Sequence, residues 1–132
     1  ATKPCLTRFD AEYAAHLVKF SIDWDIENSK LETFNRRKLL LTSILMKEPV
    51  VLLMDEPASG LINAEIDEID TILRMLSKEM NIAVIIVEHR IELLDTIADR
   101  VIVMDAGQII ARGKLEEIVN NPKVKEAYFE GG

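Results

Sequence analysis

At 132 residues and 15.0 kDa the chain is one domain or part of one, long enough to bury about two-thirds of its unfolded surface. A net charge of −7 and a pI near 4.9 disfavour nucleic acid or an acidic membrane surface as the primary partner. The lone Cys5 rules out an internal disulfide, no apolar run nears the ~20 residues of a bilayer span, and the opening ATKPCLTRFD has no signal-peptide pattern, so a reducing cytoplasm is expected.

In chain order, residues 11–22 (AEYAAHLVKFSI) read as a helix with Tyr13, Leu17 and Phe20 on one side. The polar DWDIENSK is a loop, with Trp24 and Ile26 expected to anchor it against the core. A second helix is predicted over 36–47, burying Leu40, Leu41, Ile44 and Leu45 and stopped by Pro49. Arg36, Arg37 and Lys38 at its start read as a solvated basic face. Residues 50–54 (VVLLM) form an unbroken apolar run, the pattern of a strand covered on both faces in a parallel sheet.

From Asn63 to Met80 the pattern is helical, with Ile62, Ile66, Ile69, Leu73, Leu76 and Met80 in one stripe and Asn63 as N-cap. A second apolar strand, IAVIIV at 82–87, ends in Glu88 and His89, and a short helix follows at 91–98. RVIVM and QIIAR (strands at 100–104 and 108–112) flank Asp105-Ala106-Gly107, a hairpin turn in which Gly107 supplies a positive φ. KLEEIV is a short helix. Asn121-Pro122 opens the last one, with Asn as cap, Pro in the first turn, and Val124, Ala127 and Tyr128 inward. The five methionines, at 46, 54, 75, 80 and 104, fit core or boundary positions, and His16 reads as an exposed or satisfied histidine.

Strand, long helix and second apolar strand make a βαβ unit, so the class is α/β with a parallel sheet. Ligands of such sheets meet the carboxyl ends of strands. Asp55, Glu56 and His89 all lie just past the carboxyl ends of two strands that a right-handed crossover sets side by side. Singly, Asp-Glu-Pro is a polar strand exit and His89 a helix cap. Their convergence points to a charged ligand, because two carboxylates at a strand mouth are costly to desolvate without one. No Cys/His cluster has zinc-site spacing.

VVLLMDEPASGL, followed by AVIIVEHRIELLDTIADRVIVMDAGQIIARGKLEEIVNNPKVKEAY, resembles the C-terminal half of an ABC-type ATPase from about residue 31 onward. The tail is similar to the branched-chain amino acid and lipopolysaccharide-export branches. The resemblance implies part of a P-loop NTPase (RecA-like) core with parallel strands, flanking helices and a C-terminal β-hairpin plus helices. It divides the chain into a helical-subdomain and signature remnant (1–35), core (36–113) and helical tail (114–132). It implies MgATP hydrolysis coupled to solute transport. Asp55 matches the Walker B aspartate holding Mg²⁺ through a water, Glu56 the acid that polarises the attacking water, His89 the γ-phosphate-sensing histidine, and Ser59 the D-loop. Implied partners are a second ATPase half or subunit and a transmembrane permease, in a dimer or hetero-oligomer at the inner face of the membrane, with no nucleic acid.

The departures are equally specific. None of the five glycines opens the G-x-x-x-x-G-K-[ST] phosphate cradle; Gly113-Lys114 is followed by Leu115. The slot of the signature loop L-S-G-G-Q holds Leu31, Glu32, Thr33, Phe34 and Asn35. Glu32 repels phosphate there, and Phe34 blocks close backbone approach. After Ser59-Gly60-Leu61 stands Ile62 where the D-loop has Asp or Asn. Alone, this chain is therefore expected to be inactive, needing the missing half for ATP and Mg²⁺. Two other readings remain open at this point: the C-terminal half of a chromosome-maintenance ABC ATPase, and a non-catalytic pseudo-ATPase interaction fragment.

Overall fold

The computed structural model describes residues 8–21, 25–27 and 31–129. The chain divides into two compact units, residues 1–87 and 88–132.

In the first unit, α1 (Arg8–Leu17) packs along α2 (Thr33–Leu45), and β1 (Val51–Asp55), α3 (Asn63–Lys78) and β2 (Ala83–Val87) form the βαβ element. β1 and β2 pair in parallel, Val51 opposite Ala83 through Asp55 opposite Val87, as the two apolar runs and the crossover helix require. Leu52 on β1 and Ile69, Ile72, Leu73 and Leu76 on α3 are buried. This confirms the stripe read from the periodicity, except that its ends, Ile62 and Met80, are exposed.

One expectation fails on the sheet. The run 50–54 is not covered on both faces: Val51 and Leu53 are exposed, as are Ile85 and Val87 of β2, while Leu52 is buried. A continuous apolar run encodes cover on both sides; among the described residues only one side has it.

The helices differ from the sequence reading in register. α2 begins at Thr33, three residues early, because Glu32 is extended (φ −63°, ψ 158°) and its carbonyl already accepts Arg36 N at 2.9 Å. Its buried stripe is Phe34, Lys38, Leu41, Thr42 and Leu45, whereas Leu40 points to solvent. Lys38 is only 6% exposed, so the basic run is not a uniformly solvated face. Its Nζ donates to the Lys19 carbonyl at 3.2 Å and to Glu68 of α3, and sits 4.3 Å from the Phe34 ring centroid. That is the pairing a buried ammonium needs. The cap of α3 is Ile62 rather than Asn63: Ile62 is extended (φ −80°, ψ 163°), and its N–H donates to the Glu65 carboxylate at 3.0 Å. Ala14 and Ala15 on α1 and Val18 just after it are buried, and Tyr13 is exposed. Ile26, expected as an anchor, is exposed; Trp24 and Cys5 lie outside the described residues.

The second unit holds α4 (Ile91–Ile97), β3 (Val101–Asp105), β4 (Gln108–Gly113), α5 (Leu115–Ile118), α6 (Pro122–Val124) and a single π-helical turn over Lys125–Phe129. β3 and β4 pair antiparallel, with a bulge at Val103/Met104. The turn between them has Ala106 at φ 45° and Gly107 at φ 78°, the two left-handed positions that match the twist of a tight hairpin. Ala111, Ile118 and Val124 form the core, with Val101, Val103 and Ile110 against it. Asn121 caps α6 as its position before Pro122 requires, its side chain accepting Lys123 N at 3.0 Å. Ala127 and Tyr128 do not turn inward, because the chain winds into the wider π turn; the Tyr128 hydroxyl instead donates to the Met104 carbonyl. Met80 and Met104 are likewise exposed rather than at the core boundary.

Candidate functional site

Asp55 is the last residue of β1, and Glu56 follows with φ 45°. The Glu56 N–H donates to the Val87 carbonyl at 2.8 Å, one step beyond the last paired residues of the sheet. That bond fixes where the chain leaves the strand. The next residues form a tight loop. Ser59 N donates to the Glu56 carbonyl at 3.1 Å and Leu61 N to the Ala58 carbonyl at 3.2 Å. Pro57 and Ala58 are buried, and Gly60 takes φ 72° with open space where a side chain would stand. Asp55, Glu56 and Ser59 are exposed around this loop.

The back of the loop is held by a residue the sequence reading placed in solvent. One guanidinium nitrogen of Arg37 donates to the Pro57 carbonyl and another to the Ser59 carbonyl. Arg36 turns the other way, donating to the Leu31 carbonyl through Nε at 3.2 Å and Nη2 at 2.9 Å. The slot Glu32, Thr33, Phe34, Asn35 is thus the N-terminal turn of α2 and its flank. Glu32 and Thr33 are exposed, Asn35 is half-buried, and Phe34 is buried beneath Lys38. The structure brings this slot and the carboxylate loop onto a shared support, α2.

A signal for Lys38 was present in the sequence. It stands four residues after Phe34, three before Leu41 and seven before Leu45, on the helical stripe that is buried. Arg37 carries no such signal; a guanidinium that grips carbonyls twenty residues away leaves no mark on local pattern.

His89 lies in the second unit, exposed, with Nδ1 3.7 Å from the Glu88 carboxylate. The same carboxylate oxygen accepts His89 N at 3.3 Å and Arg90 N at 3.4 Å just before α4.

Among the described residues no three His, Cys, Asp or Glu side chains gather as a ready-made cation cage. The donor set at the strand mouth, two adjacent carboxylates open to solvent, suits Mg²⁺, which takes one or two carboxylates alongside substrate phosphate and water. The phosphate side of such a complex has no cradle in this sequence. No helix among the described residues is long and apolar enough to cross a membrane.

A family model described as branched-chain amino acid ATP-binding cassette transporter matches residues 108–129, from β4 through the π turn. The high-affinity branched-chain amino acid transport ATP-binding protein BraF of Pseudomonas aeruginosa is 33% identical over 121 residues, covering 89% of this chain and 48% of BraF. Its counterpart LivG of Escherichia coli is 35% identical over 101 residues, covering 76% of this chain and 40% of LivG. A crystal structure of an ATP-binding cassette of an ABC transporter in its ADP conformation superposes with a TM-score of 0.83 at 27% identity, over 96% of this chain and 51% of that one. The cbiO1 protein of Clostridium perfringens, part of the ABC transporter complex cbiONQ, gives 0.77 at 26% identity, over 94% of this chain and 51% of its own. The chain spans about half the length of the relatives it matches. By sequence and by fold, it belongs with the ABC-type ATPases, where it corresponds to the C-terminal half of a transporter's ATP-binding protein.

Proposed function

We propose that this chain supplies the magnesium- and water-handling residues of an ABC transport ATPase, the phosphate cradle coming from a second half or subunit. The observation that carries the reading is the placement of Asp55 and Glu56. They stand adjacent at the carboxyl end of a parallel strand, on a loop pinned to the neighbouring strand by the Glu56–Val87 bond.

Asp55 would hold Mg²⁺ through a water, and Glu56 would orient a water and take its proton. His89 would sense the terminal phosphate, and Ser59 would contact the partner across the dimer. Bound MgATP supplies the transferable phosphoryl group. Positioning and charge stabilisation do most of the remaining work, which is why two carboxylates suffice at the strand mouth. The exposed strand face of Val51, Leu53, Ile85 and Val87 is the surface the second half would cover. A permease would complete the assembly at the cytoplasmic face of the membrane. The names of BraF and LivG, with the family match at 108–129, support branched-chain amino acid transport as the process served and favour a transporter over a chromosome-maintenance ATPase.

A second reading has one observation behind it. Phe34 is buried and Glu32 exposed at the N-terminus of α2, where the family presents glycine amides and a serine hydroxyl to phosphate. On that reading the slot serves its partner's nucleotide poorly or not at all, and the chain is a non-catalytic fragment.

Calorimetry tests the proposal. The chain alone should show no MgATP binding, because a Kd of about 1 μM needs roughly 8 kcal/mol that two carboxylates cannot supply. Combined with a half carrying the phosphate loop it should bind MgATP, and Asp55→Asn should weaken that binding only when Mg²⁺ is present. Micromolar binding by the chain alone, or an Asp55→Asn effect independent of Mg²⁺, would contradict it.

A further inference from the structure

Two donors on one side chain meet two acceptors on one loop, and nothing in the proposed chemistry uses them. Arg37 lies in the second turn of α2, half-buried, with its guanidinium bound to the carbonyls of Pro57 and Ser59. The loop it grips starts with a residue in the left-handed region, Glu56 at φ 45°. A non-glycine residue in that region costs about 1–2 kcal/mol, so the surroundings must hold it there. Two interactions from outside the loop hold its backbone: the Glu56 N–H on the Val87 carbonyl at one end, and Arg37 across the back.

We propose that Arg37 is a positioning residue: its planar, two-pronged guanidinium sets the conformation of residues 56–60 and thereby where the Glu56 carboxylate and the Ser59 side chain stand. The proposal deepens the hydrolytic reading above and rests on it for the consequence to turnover, though not for the contact itself. Two carbonyls two residues apart in the same loop call for a fork. A lysine is a point charge on a flexible stem and serves such a pair less well. Charge-assisted hydrogen bonds are about twice as strong as neutral ones, so one side chain here outweighs the two neutral bonds within the loop. The grip also joins two parts of the site. Arg37 stands two residues after Asn35, so the helix that carries the degenerate signature slot is the helix that steadies the loop.

Hydrogen exchange on the full chain tests this directly, with Arg37→Gln and Arg37→Lys beside wild type. The Ser59 and Leu61 amides close the loop, and those of Leu41 and Leu45 report on α2. In Arg37→Gln the loop amides should exchange about tenfold faster, the scale of one charge-assisted hydrogen bond, with the α2 amides unchanged. Arg37→Lys should fall between. Unchanged exchange at Ser59 and Leu61 in Arg37→Gln would overturn the proposal. So would equal loss of protection in loop and α2 in both variants, which would make Arg37 a residue of the helix core. In the assembled ATPase, Arg37→Gln should lower kcat while leaving the KM for MgATP within about twofold, and Arg37→Lys should restore part of kcat. A loosened loop in a protein whose turnover is indifferent to Glu56→Gln would keep Arg37 in its role and remove the hydrolytic reading instead.

Discussion

Leu53 and Ile85 stand opposite each other in the parallel pair, and both face out of the sheet, 71% and 56% exposed. Val51 and Val87 flank them on the same face. Covering such half-exposed side chains is worth about 1 kcal/mol each, and a two-stranded sheet is marginal without further packing. The isolated chain should therefore self-associate at tens of micromolar. Leu53→Lys with Ile85→Lys should shift it toward monomer in sedimentation velocity. A wild-type chain that sediments as a monomer, with slow exchange across β1 and β2, would mean this face needs no cover.

Lys38 and Glu68 tie α2 to α3. Removing one partner of a buried pair leaves the other charge uncompensated, whereas replacing both with apolar groups is often neutral. Glu68 is partly exposed, so Glu68→Ala should cost about 2 kcal/mol in urea unfolding, less than the ~3–5 kcal/mol of a fully buried pair. Lys38→Met with Glu68→Leu should recover most of that. A double-mutant cycle with no coupling would show that the Lys19 carbonyl and the Phe34 ring satisfy Lys38 without Glu68.

The β3–β4 turn places Ala106, not only Gly107, in the left-handed region. Asn tolerates that region better than Ala, and Asn-Gly is the preferred pair for such a turn. Ala106→Asn should raise stability by about 0.5 kcal/mol, whereas Gly107→Ala should lower it by about 1 kcal/mol. The space at Gly107 is open, so its cost is conformational and not steric. Thermal melts of the two variants read both signs. A neutral Gly107→Ala would place the turn outside the left-handed region in solution.

The elements that place the site were legible because their signals are local. Val51–Asp55 and Ala83–Val87 are apolar runs, Ile69 to Leu76 repeat at helical spacing, and Asn121-Pro122 caps its helix as those residue types dictate. Two of the misread positions depend on distant partners. Lys38 is buried because Glu68 lies thirty residues away to meet it, and Arg37 is held by Pro57 and Ser59 across a comparable gap. Ile62 took the cap from Asn63 because the Glu65 carboxylate reaches its amide, and residue preference at a helix start does not encode that return contact. The unbroken run at 50–54 indicated a face that needs cover, but not whether these residues provide it.

In the proposed function, Glu56 acts on water rather than on nucleotide. The direct measurement is ATP turnover and ATP retention in the ATPase assembled from this chain and a half carrying the phosphate loop, for wild type and Glu56→Gln. The amide keeps the shape of the side chain but cannot take a proton, so turnover should fall by ~10²–10⁴-fold while bound ATP is retained unhydrolysed. Weakened ATP binding with an unchanged turnover rate would contradict that role for Glu56.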